Sequence, residues 1–186
     1  EATGAWIGYG AAARPEFAFR PLEDGERISL GDVTVEIMTT PGHTPESISV
    51  IVYEHADDEL PYGVLTGDAL FIGDVGRPDL LASIGVTQGE LASMLYDSIQ
   101  HKLMGLPDAV RVFPAHGAGS SCGKNLSTEK VSTIGEQRRF NYACQPMSEA
   151  AFVELVTEGQ PPAPAYFVHD AMANREVREI RPLNAQ

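Results

Sequence analysis

The pattern of apolar and polar positions differs between the two halves of the chain. In the first half, residues 33–38 alternate with the period of a strand that buries one face, through Val33, Val35 and Ile37. Residues 48–53 and 63–65 are apolar at nearly every position, which predicts strands buried on both faces. The first half is therefore expected to form a sheet. Shorter strands are predicted at residues 6–7, 17–20 and 27–30.

The second half carries the spacing of helices. Apolar residues recur at intervals of three and four from Leu91 to Leu103, and Thr87 and Glu90 form a capping-box pattern before them. This pattern predicts a helix over about residues 88–103. Three further elements are predicted, namely a strand at 110–113, a helix within 129–142, and a helix capped by Ser148 that ends near residue 157.

Strands followed by helices indicate a layered α/β domain whose connecting loops carry the chemistry. A length of 186 residues suits one domain with a single hydrophobic core. We therefore expect one domain over residues 1–180 and the start of a linker or tail at 181–186.

The composition argues against several classes of partner. The chain has 26 acidic and 13 basic residues and a formal net charge of −13, so it repels nucleic-acid phosphates. No apolar run reaches the roughly 20 residues that span a bilayer. Its two cysteines, Cys122 and Cys144, imply no disulfide framework and suit a reducing cytoplasm. Neither nucleic acid nor a membrane is an expected partner, and the expected location is cytoplasmic.

Three residues with metal-ligating side chains share one sequence context. His43, Asp68 and His116 each stand in a loop marked by glycine or proline beside a predicted strand. A rigid sheet can aim side chains at its strand ends towards one point, and glycine lets such loops turn tightly. Imidazole nitrogen and carboxylate oxygen bind zinc or iron(II), and two histidines with one carboxylate form the ligand set of many non-haem iron oxygenases. Together the three residues predict a metal site.

Each of these residues also has a structural interpretation. His43 alone could be a surface or capping residue, and Asp68 could be a turn residue that bonds its own backbone. His116 could donate to Asp68 or to a carbonyl, so its structural and ligand roles stay equally open. Cys122 lies between small residues, so a packing role is preferred to a redox role for it. His55, His101 and His169 are interpreted as structural.

Three motifs together resemble a known superfamily. They are Thr-Pro-Gly-His-Thr-Pro-Glu-Ser at 40–47, Thr-Gly-Asp-Ala-Leu-Phe-Ile-Gly-Asp-Val-Gly-Arg-Pro-Asp-Leu at 66–80, and Phe-Pro-Ala-His-Gly-Ala-Gly at 113–119. In order and spacing they resemble the later motifs of the metallo-β-lactamase superfamily, which implies an αββα sandwich. The arginine and aspartate in segment 73–80 resemble the persulfide dioxygenase (sulfur dioxygenase) branch. Segment 117–124, followed by Arg-Phe-Asn-Tyr at 139–142, is similar to members that continue into a rhodanese domain.

This resemblance implies an enzyme that oxidises a thiol persulfide, usually glutathione persulfide, with O₂ to sulfite at a mononuclear iron(II). It implies that His43 and Asp68 are two of three protein ligands. His116 matches a second-site ligand of dinuclear relatives that does not bind metal in the iron enzymes.

The resemblance also suggests residues that contact the substrate. Arg77 is expected to hold the glutathione carboxylate or to orient its loop, although it could instead pair with Asp79 or Asp74. Thr44, in the first motif, is a second substrate-binding candidate.

The chain departs from the family pattern at its beginning. The family's first motif, His-x-His-x-Asp-His, does not occur in the 186 residues, and its first histidine is the third iron ligand. Residues 1–7 resemble the segment that follows that motif. We therefore expect the third ligand to be encoded upstream of Glu1. A rhodanese domain after Gln186 and a homodimer are kept as hypotheses.

Two other functions stand beside the dioxygenase. A zinc or mixed-metal thioester hydrolase resembling hydroxyacylglutathione hydrolase shares the Gly-His-Thr-Pro and Gly-Asp signatures and would use metal-bound hydroxide. Two metals per active chain would favour this hydrolase. A non-catalytic scaffold is the third hypothesis, and absence of the first motif from the gene would favour it.

Overall fold

A computed structural model describes residues 3–79, 85–118, 120–124, 126–160, 162 and 164–177. The predicted linker at 181–186 lies outside the described residues. The strands are β1 Gly8–Gly10, β2 Arg20–Leu22, β3 Arg27–Leu30, β4 Val33–Thr39, β5 Ile48–Tyr53, β6 Gly63–Gly67, β7 Leu70–Phe71, β8 Asp74–Val75, β9 Arg111–Pro114 and β10 Ser132–Thr133. The α-helices are α1 Gln88–Asp97, α2 Ile134–Phe140, α3 Glu149–Thr157 and α4 Phe167–Ala173.

A six-stranded sheet lies at the centre, with the strand order β10-β9-β6-β5-β4-β3. Its neighbouring strands are antiparallel except for β6 and β9, which are parallel. Parallel neighbours need a crossover connection, and here the crossover contains β7, β8 and α1. Since β4 is antiparallel to β5 and β5 is antiparallel to β6, the strands β4, β6 and β9 run in one direction. Their carboxyl ends therefore share one edge of the sheet.

One face of this sheet forms the main hydrophobic core. Ile51, Val64 and Val112 are register neighbours on that face and are fully or almost fully buried. They belong to one cluster with apolar residues of α1 and α3, including Leu95 and Phe152. The layered α/β arrangement predicted from the sequence is thus confirmed.

The opposite face is less covered than the sequence suggested. Leu65 is a register neighbour of Val50 and Phe113 on that face, and it is 46% exposed while the other two are half-buried. The prediction that residues 48–53 and 63–65 are buried on both faces is therefore wrong among the described residues. Val33 and Val35, predicted to point into the core, are also only half-buried. The described helices that bury the core lie on the other face, which explains the difference.

The capping box predicted before α1 is present. The Thr87 hydroxyl accepts from the Glu90 backbone N–H, and the Glu90 carboxylate accepts from the Thr87 backbone N–H. The helix does not run unchanged to Leu103, because it widens into a π-helical turn at Ser98–Lys102 and ends as a 3₁₀ turn at Leu103–Gly105. Within the irregular part, the Ser98 hydroxyl donates to the Pro41 carbonyl at 2.7 Å, which joins this turn to the loop after β4.

Other local predictions were confirmed in part. Ser148 caps α3, which ends at Thr157 as expected. Helix α2 is shorter than predicted, because Ser132 and Thr133 pair with β9 and Thr133 then caps the helix. The first two strands lie slightly later than the predicted residues 6–7 and 17–20, and α4, β7 and β8 were not predicted. None of the helices in the described segments is long and apolar enough to cross a bilayer.

Candidate metal centre

The three predicted metal-ligating residues meet at one edge of the sheet. His43 follows β4, Asp68 follows β6 and His116 follows β9, and these strands run in one direction. Nε2 of His43 and Nε2 of His116 each lie 3.3 Å from Oδ2 of Asp68. The fold therefore gathers these side chains around a single carboxylate, while their role as ligands stays a prediction.

A hydrogen bond to the backbone orients the His43 ring. Its Nδ1 lies 3.0 Å from the backbone carbonyl of Arg77, and the His43 side chain is buried. Because a carbonyl only accepts, this contact places a proton on Nδ1 and directs Nε2 towards Asp68. Metal-ligating histidines are commonly fixed in this way by a partner of the second ring nitrogen.

The facing atoms fit a cation. Nε2 of His43 and Oδ2 of Asp68 face each other at 3.3 Å, and an imidazole nitrogen with a carboxylate oxygen is a donor pair that zinc or iron(II) binds. Burial alone would raise the pKa of Asp68. The hydrogen bond and charge of His43 and the charge of His116 outweigh that effect, so the pKa of Asp68 lies below its ordinary value of 3.8. The carboxylate is therefore ionised at neutral pH, which is the form that binds metals.

Two glycines allow the close packing around His43. Gly42 has a φ of +141°, and an added Cβ would overlap the backbone and Cβ of Leu95 on α1. An added Cβ at Gly76 would overlap the backbone carbonyl of Asp68 and come within 3.1 Å of the His43 Cβ. The glycines of the motifs thus let α1 and the loop after β6 approach the site from two sides.

Arg77 organises the surrounding loops. Its guanidinium is 1% exposed and donates two hydrogen bonds to the Asp79 carboxylate, at 2.7 and 2.8 Å. Its backbone N–H donates to the Cys122 carbonyl at 2.9 Å, while its own carbonyl accepts from His43. The pairing with Asp79 that the sequence offered as an alternative is present, and the predicted contact of Arg77 with substrate stays a prediction.

Cys122 also reaches this site. A nitrogen of His43, a carboxylate oxygen of Asp68 and Sγ of Cys122 all lie within 4.8 Å of one another. Burial and the neighbouring Asp68 raise the pKa of the Cys122 thiol, and the hydrogen bond from Ser120 only partly opposes them. The sequence gave no signal for this distance, because the contact joins loops that are far apart in the chain.

A cavity of about 660 Å³ opens beside His43 and Cys122. Its wall includes Thr44, which the sequence proposed as a substrate contact and whose hydroxyl lies 2.8 Å from that of Ser47. The remaining walls come from segment 9–15 and from α4 with its flanking residues. The charged residues of the lining are Arg14, Glu46, Asp170 and Arg175.

Helix α4 is attached to segment 9–15 through Arg175. The Arg175 carbonyl accepts from the Glu16 backbone N–H at 2.8 Å, and its guanidinium donates to the Arg14 carbonyl at 3.1 Å. The sequence analysis missed this wall of the cavity. The cavity-lining positions of α4 and its flank are Phe167, Asp170, Ala171 and Asn174, and because two of them are polar they form no apolar periodicity that could have revealed the helix.

No family model matches the chain. Human mitochondrial persulfide dioxygenase ETHE1 is 32% identical to it over 120 residues, which are 64% of this chain and 39% of the human protein. The chain spans less than half the length of the first curated relatives that it matches.

Two solved structures share the fold over most of this chain. A metallo-β-lactamase from Staphylococcus aureus superposes with a TM-score of 0.78 at 33% identity, covering 88% of this chain and 46% of that one. ETHE1 from Myxococcus xanthus superposes with a TM-score of 0.73 at 28% identity, covering 93% and 66% respectively. The chain therefore has the fold of the metallo-β-lactamase superfamily. Within it, the similarity to the two ETHE1 proteins supports the persulfide dioxygenase branch that the motifs indicated.

Proposed function

We propose that the protein is an iron(II) persulfide dioxygenase that oxidises glutathione persulfide, or a similar thiol persulfide, to sulfite. The observation that carries the proposal is the His43 imidazole, fixed through Nδ1 and directed with Nε2 at the Asp68 carboxylate. The similarity to human persulfide dioxygenase supports the choice of reaction. One persulfide, one O₂ and one water would give one thiol, one sulfite dianion and two protons.

His43 and Asp68 would hold the iron. A third protein ligand is expected from the His-x-His-x-Asp-His motif, which does not occur within the 186 residues. When bound, iron(II) supplies the redox chemistry that joins persulfide sulfur to dioxygen. The described residues fix the position of both ligands, since Arg77 holds His43 and Gly76 lets the loop after β6 pack against it.

The cavity beside His43 would hold the organic part of the substrate. Its volume of about 660 Å³ suits a tripeptide thiol, since small-molecule sites span roughly 300 to 1,000 Å³. Arg14 and Arg175 line it, and a guanidinium has five N–H donors, so their backbone contacts leave donors for the substrate carboxylates. Glu46 and Asp170 would meet its ammonium group. Holding the persulfide beside the metal would contribute orientation to the reaction.

A metal-dependent thioester hydrolase is the second candidate function. The observation that favours it is His116, whose Nε2 lies as close to Oδ2 of Asp68 as that of His43 does. A carboxylate between two histidines could bridge two metal ions, and a two-metal site suits attack by metal-bound hydroxide.

Oxygen uptake on the complete gene product tests the proposal. The protein is loaded with iron(II) without oxygen, and O₂ consumption and sulfite release are then measured with glutathione persulfide. We expect uptake in the wild type, loss of uptake and of bound iron in His43→Ala, and no change in His101→Ala. His101 is exposed, and its contacts with exposed Asp97 and with the Tyr96 ring lie outside the candidate metal centre. Iron-loaded protein that consumes no O₂ would contradict the proposal. Two metals per chain with thioester hydrolysis would favour the second candidate.

A further inference from the structure

We propose that Ser98 and Lys102, at the two ends of the π-helical turn that continues α1, are positioning residues for the proposed metal ligand His43. They act through the backbone of the loop that carries the histidine. The Ser98 hydroxyl donates to the Pro41 carbonyl at 2.7 Å, two residues before His43. This inference rests on the metal site of the proposed function and not on the reaction that occurs there.

The loop after β4 lies against one face of α1 and its continuation. Gly42 lies so close to Leu95 that an added Cβ would overlap the Leu95 backbone. Ser98 and Lys102 follow Leu95 at intervals of three and four residues, so these three positions share one face. The helix therefore contacts the loop over about two turns, through one close backbone approach and two polar side chains.

Lys102 holds the last residue of β4. Its ammonium group donates to the Thr39 carbonyl at 2.9 Å and to the Thr39 hydroxyl at 2.8 Å. It also pairs with Asp24, whose carboxylate accepts from the Thr39 backbone N–H at 2.6 Å. Thr39 is thus fixed through both of its backbone groups at the point where the strand ends and the loop begins.

Ser98 is a polar residue in an otherwise apolar part of the helix. Its neighbour Ile99 and the following Leu103 are fully buried members of the core cluster, and Ser98 is equally buried. A buried hydroxyl is costly unless it is hydrogen-bonded, and here its partner is the Pro41 carbonyl of another segment. A π-helical turn within an α-helix is frequently found at a functional site. Here it bears both side chains that hold the loop.

His43 is consequently supported at two points. The Arg77 carbonyl fixes its ring through Nδ1, while the Ser98 hydroxyl fixes the backbone two residues earlier. Productive metal geometry requires ligand atoms to be held within about 0.5 Å of their positions. Without the contacts from the π-helical turn the loop can shift by that amount, and Nε2 then meets the ion less favourably.

Cobalt(II) titration of the complete, metal-free gene product tests this inference. The visible ligand-field bands report bound cobalt(II), and their wavelengths change when a ligand moves. We expect Ser98→Ala to weaken cobalt(II) binding roughly 3- to 10-fold and to shift the bands, because one hydrogen bond that places the loop is lost. The matched control is Ser132→Ala, since Ser132 is also buried but its hydroxyl bonds only side chains of α2 among its described contacts. Both variants are titrated at a temperature at which circular dichroism shows them folded.

A second pair of variants covers a Ser98→Ala protein that fails to fold. Lys102→Met removes the donors to Thr39 and should weaken cobalt(II) binding, whereas Lys102→Arg keeps donors at this position and should restore most of the affinity.

The other outcomes separate this inference from the proposed function. Wild-type affinity and spectra in both Ser98→Ala and Lys102→Met, or equal weakening in Ser132→Ala, would overturn the positioning role and leave the metal site intact. Absence of bound cobalt(II) in the wild type would overturn the metal site, and with it both the positioning role and the proposed function.

Discussion

The backbone carbonyl of Arg77 lies 3.0 Å from Nδ1 of His43, so the residue that pairs with Asp79 through its side chain orients the imidazole through its main chain. The ion pair and the metal site are thereby coupled. A change at Asp79 should reach the metal without touching a ligand.

The substitution Asp79→Asn tests this coupling. It removes the charge of the carboxylate that accepts two hydrogen bonds from the buried Arg77 guanidinium, and we expect the free energy of unfolding to fall by about 3 kcal/mol. Metal affinity should fall as well, because the Arg77 carbonyl is no longer held. Urea denaturation and metal titration measure both effects. The control Asp97→Asn removes an exposed pair with His101 and should change stability by less than about 1 kcal/mol; equal effects in the two variants would refute the coupling.

Gly42→Ala should destabilise the loop after β4 that carries His43. Gly42 combines a φ of +141° with close contact to the backbone of Leu95, so an alanine there adds overlap to strain. The control is Gly31→Ala, at a φ of +93° with no atom within 4 Å of the added carbon, which should lower stability by about 1 to 2 kcal/mol. We expect Gly42→Ala to lower it by roughly 1 to 3 kcal/mol more, because overpacked sites respond by that amount. Thermal unfolding measures the stability of both variants. Equal losses of stability would show that α1 shifts to make room for the added carbon at position 42.

Filling the cavity should reduce substrate use without removing the metal. Ala171 lines the cavity, so Ala171→Trp places an indole in the space assigned to the thiol carrier. We expect kcat/KM for glutathione persulfide to fall on the order of 100-fold, as misplaced substrates typically do, with unchanged iron content. Met172→Trp is the matched control, since Met172 is the next residue of α4, is exposed and does not line the cavity. An Ala171→Trp variant with unchanged kcat/KM would show that the substrate binds outside this cavity.

The buried thiol of Cys144 should make stability depend on pH in the alkaline range. Burial raises the pKa of Cys144 to about 12, whereas an unfolded thiol titrates near about 8.5. The unfolded state therefore loses its proton first. The stabilising contribution is complete below about pH 8.5 and is lost as the pH rises towards 12.

Comparison with Cys144→Ala isolates this contribution, because other titrating groups are present in both proteins. The stability advantage of the wild type over the variant should shrink by on the order of 1 to 2 kcal/mol between pH 7 and pH 10. Urea midpoints at the two pH values measure it. An advantage that does not change with pH would mean that the thiol titrates normally in the folded state.

The sequence predicted the elements whose signals are local. The pattern of Thr87 and Glu90 located the start of α1, Ser148 located the start of α3, and the apolar runs located β5 and β6. The widening of α1 at Ser98 was not visible, because it accompanies a contact with Pro41 from another part of the chain. Burial of the second sheet face was overestimated, since apolar runs do not reveal which faces are covered.

The same limit applies to the candidate site. His43, Asp68 and His116 could be named from their loops, because each directly follows a strand of the sheet. The buried pairing of Arg77 with Asp79, the approach of Cys122 and the wall formed by α4 depend on contacts between distant segments. Such contacts have no periodic signal in a single sequence.

The shared direction of β4, β6 and β9 has a consequence for how the protein folds. Its candidate iron ligands, His43 and Asp68, follow β4 and β6, so they converge only after β5 has paired with both strands. An intermediate without these β5 pairings has no site for the ion, so an ion that binds there stabilises the completed sheet by mass action. Metal supply would then govern the lifetime of the folded protein as well as its chemistry.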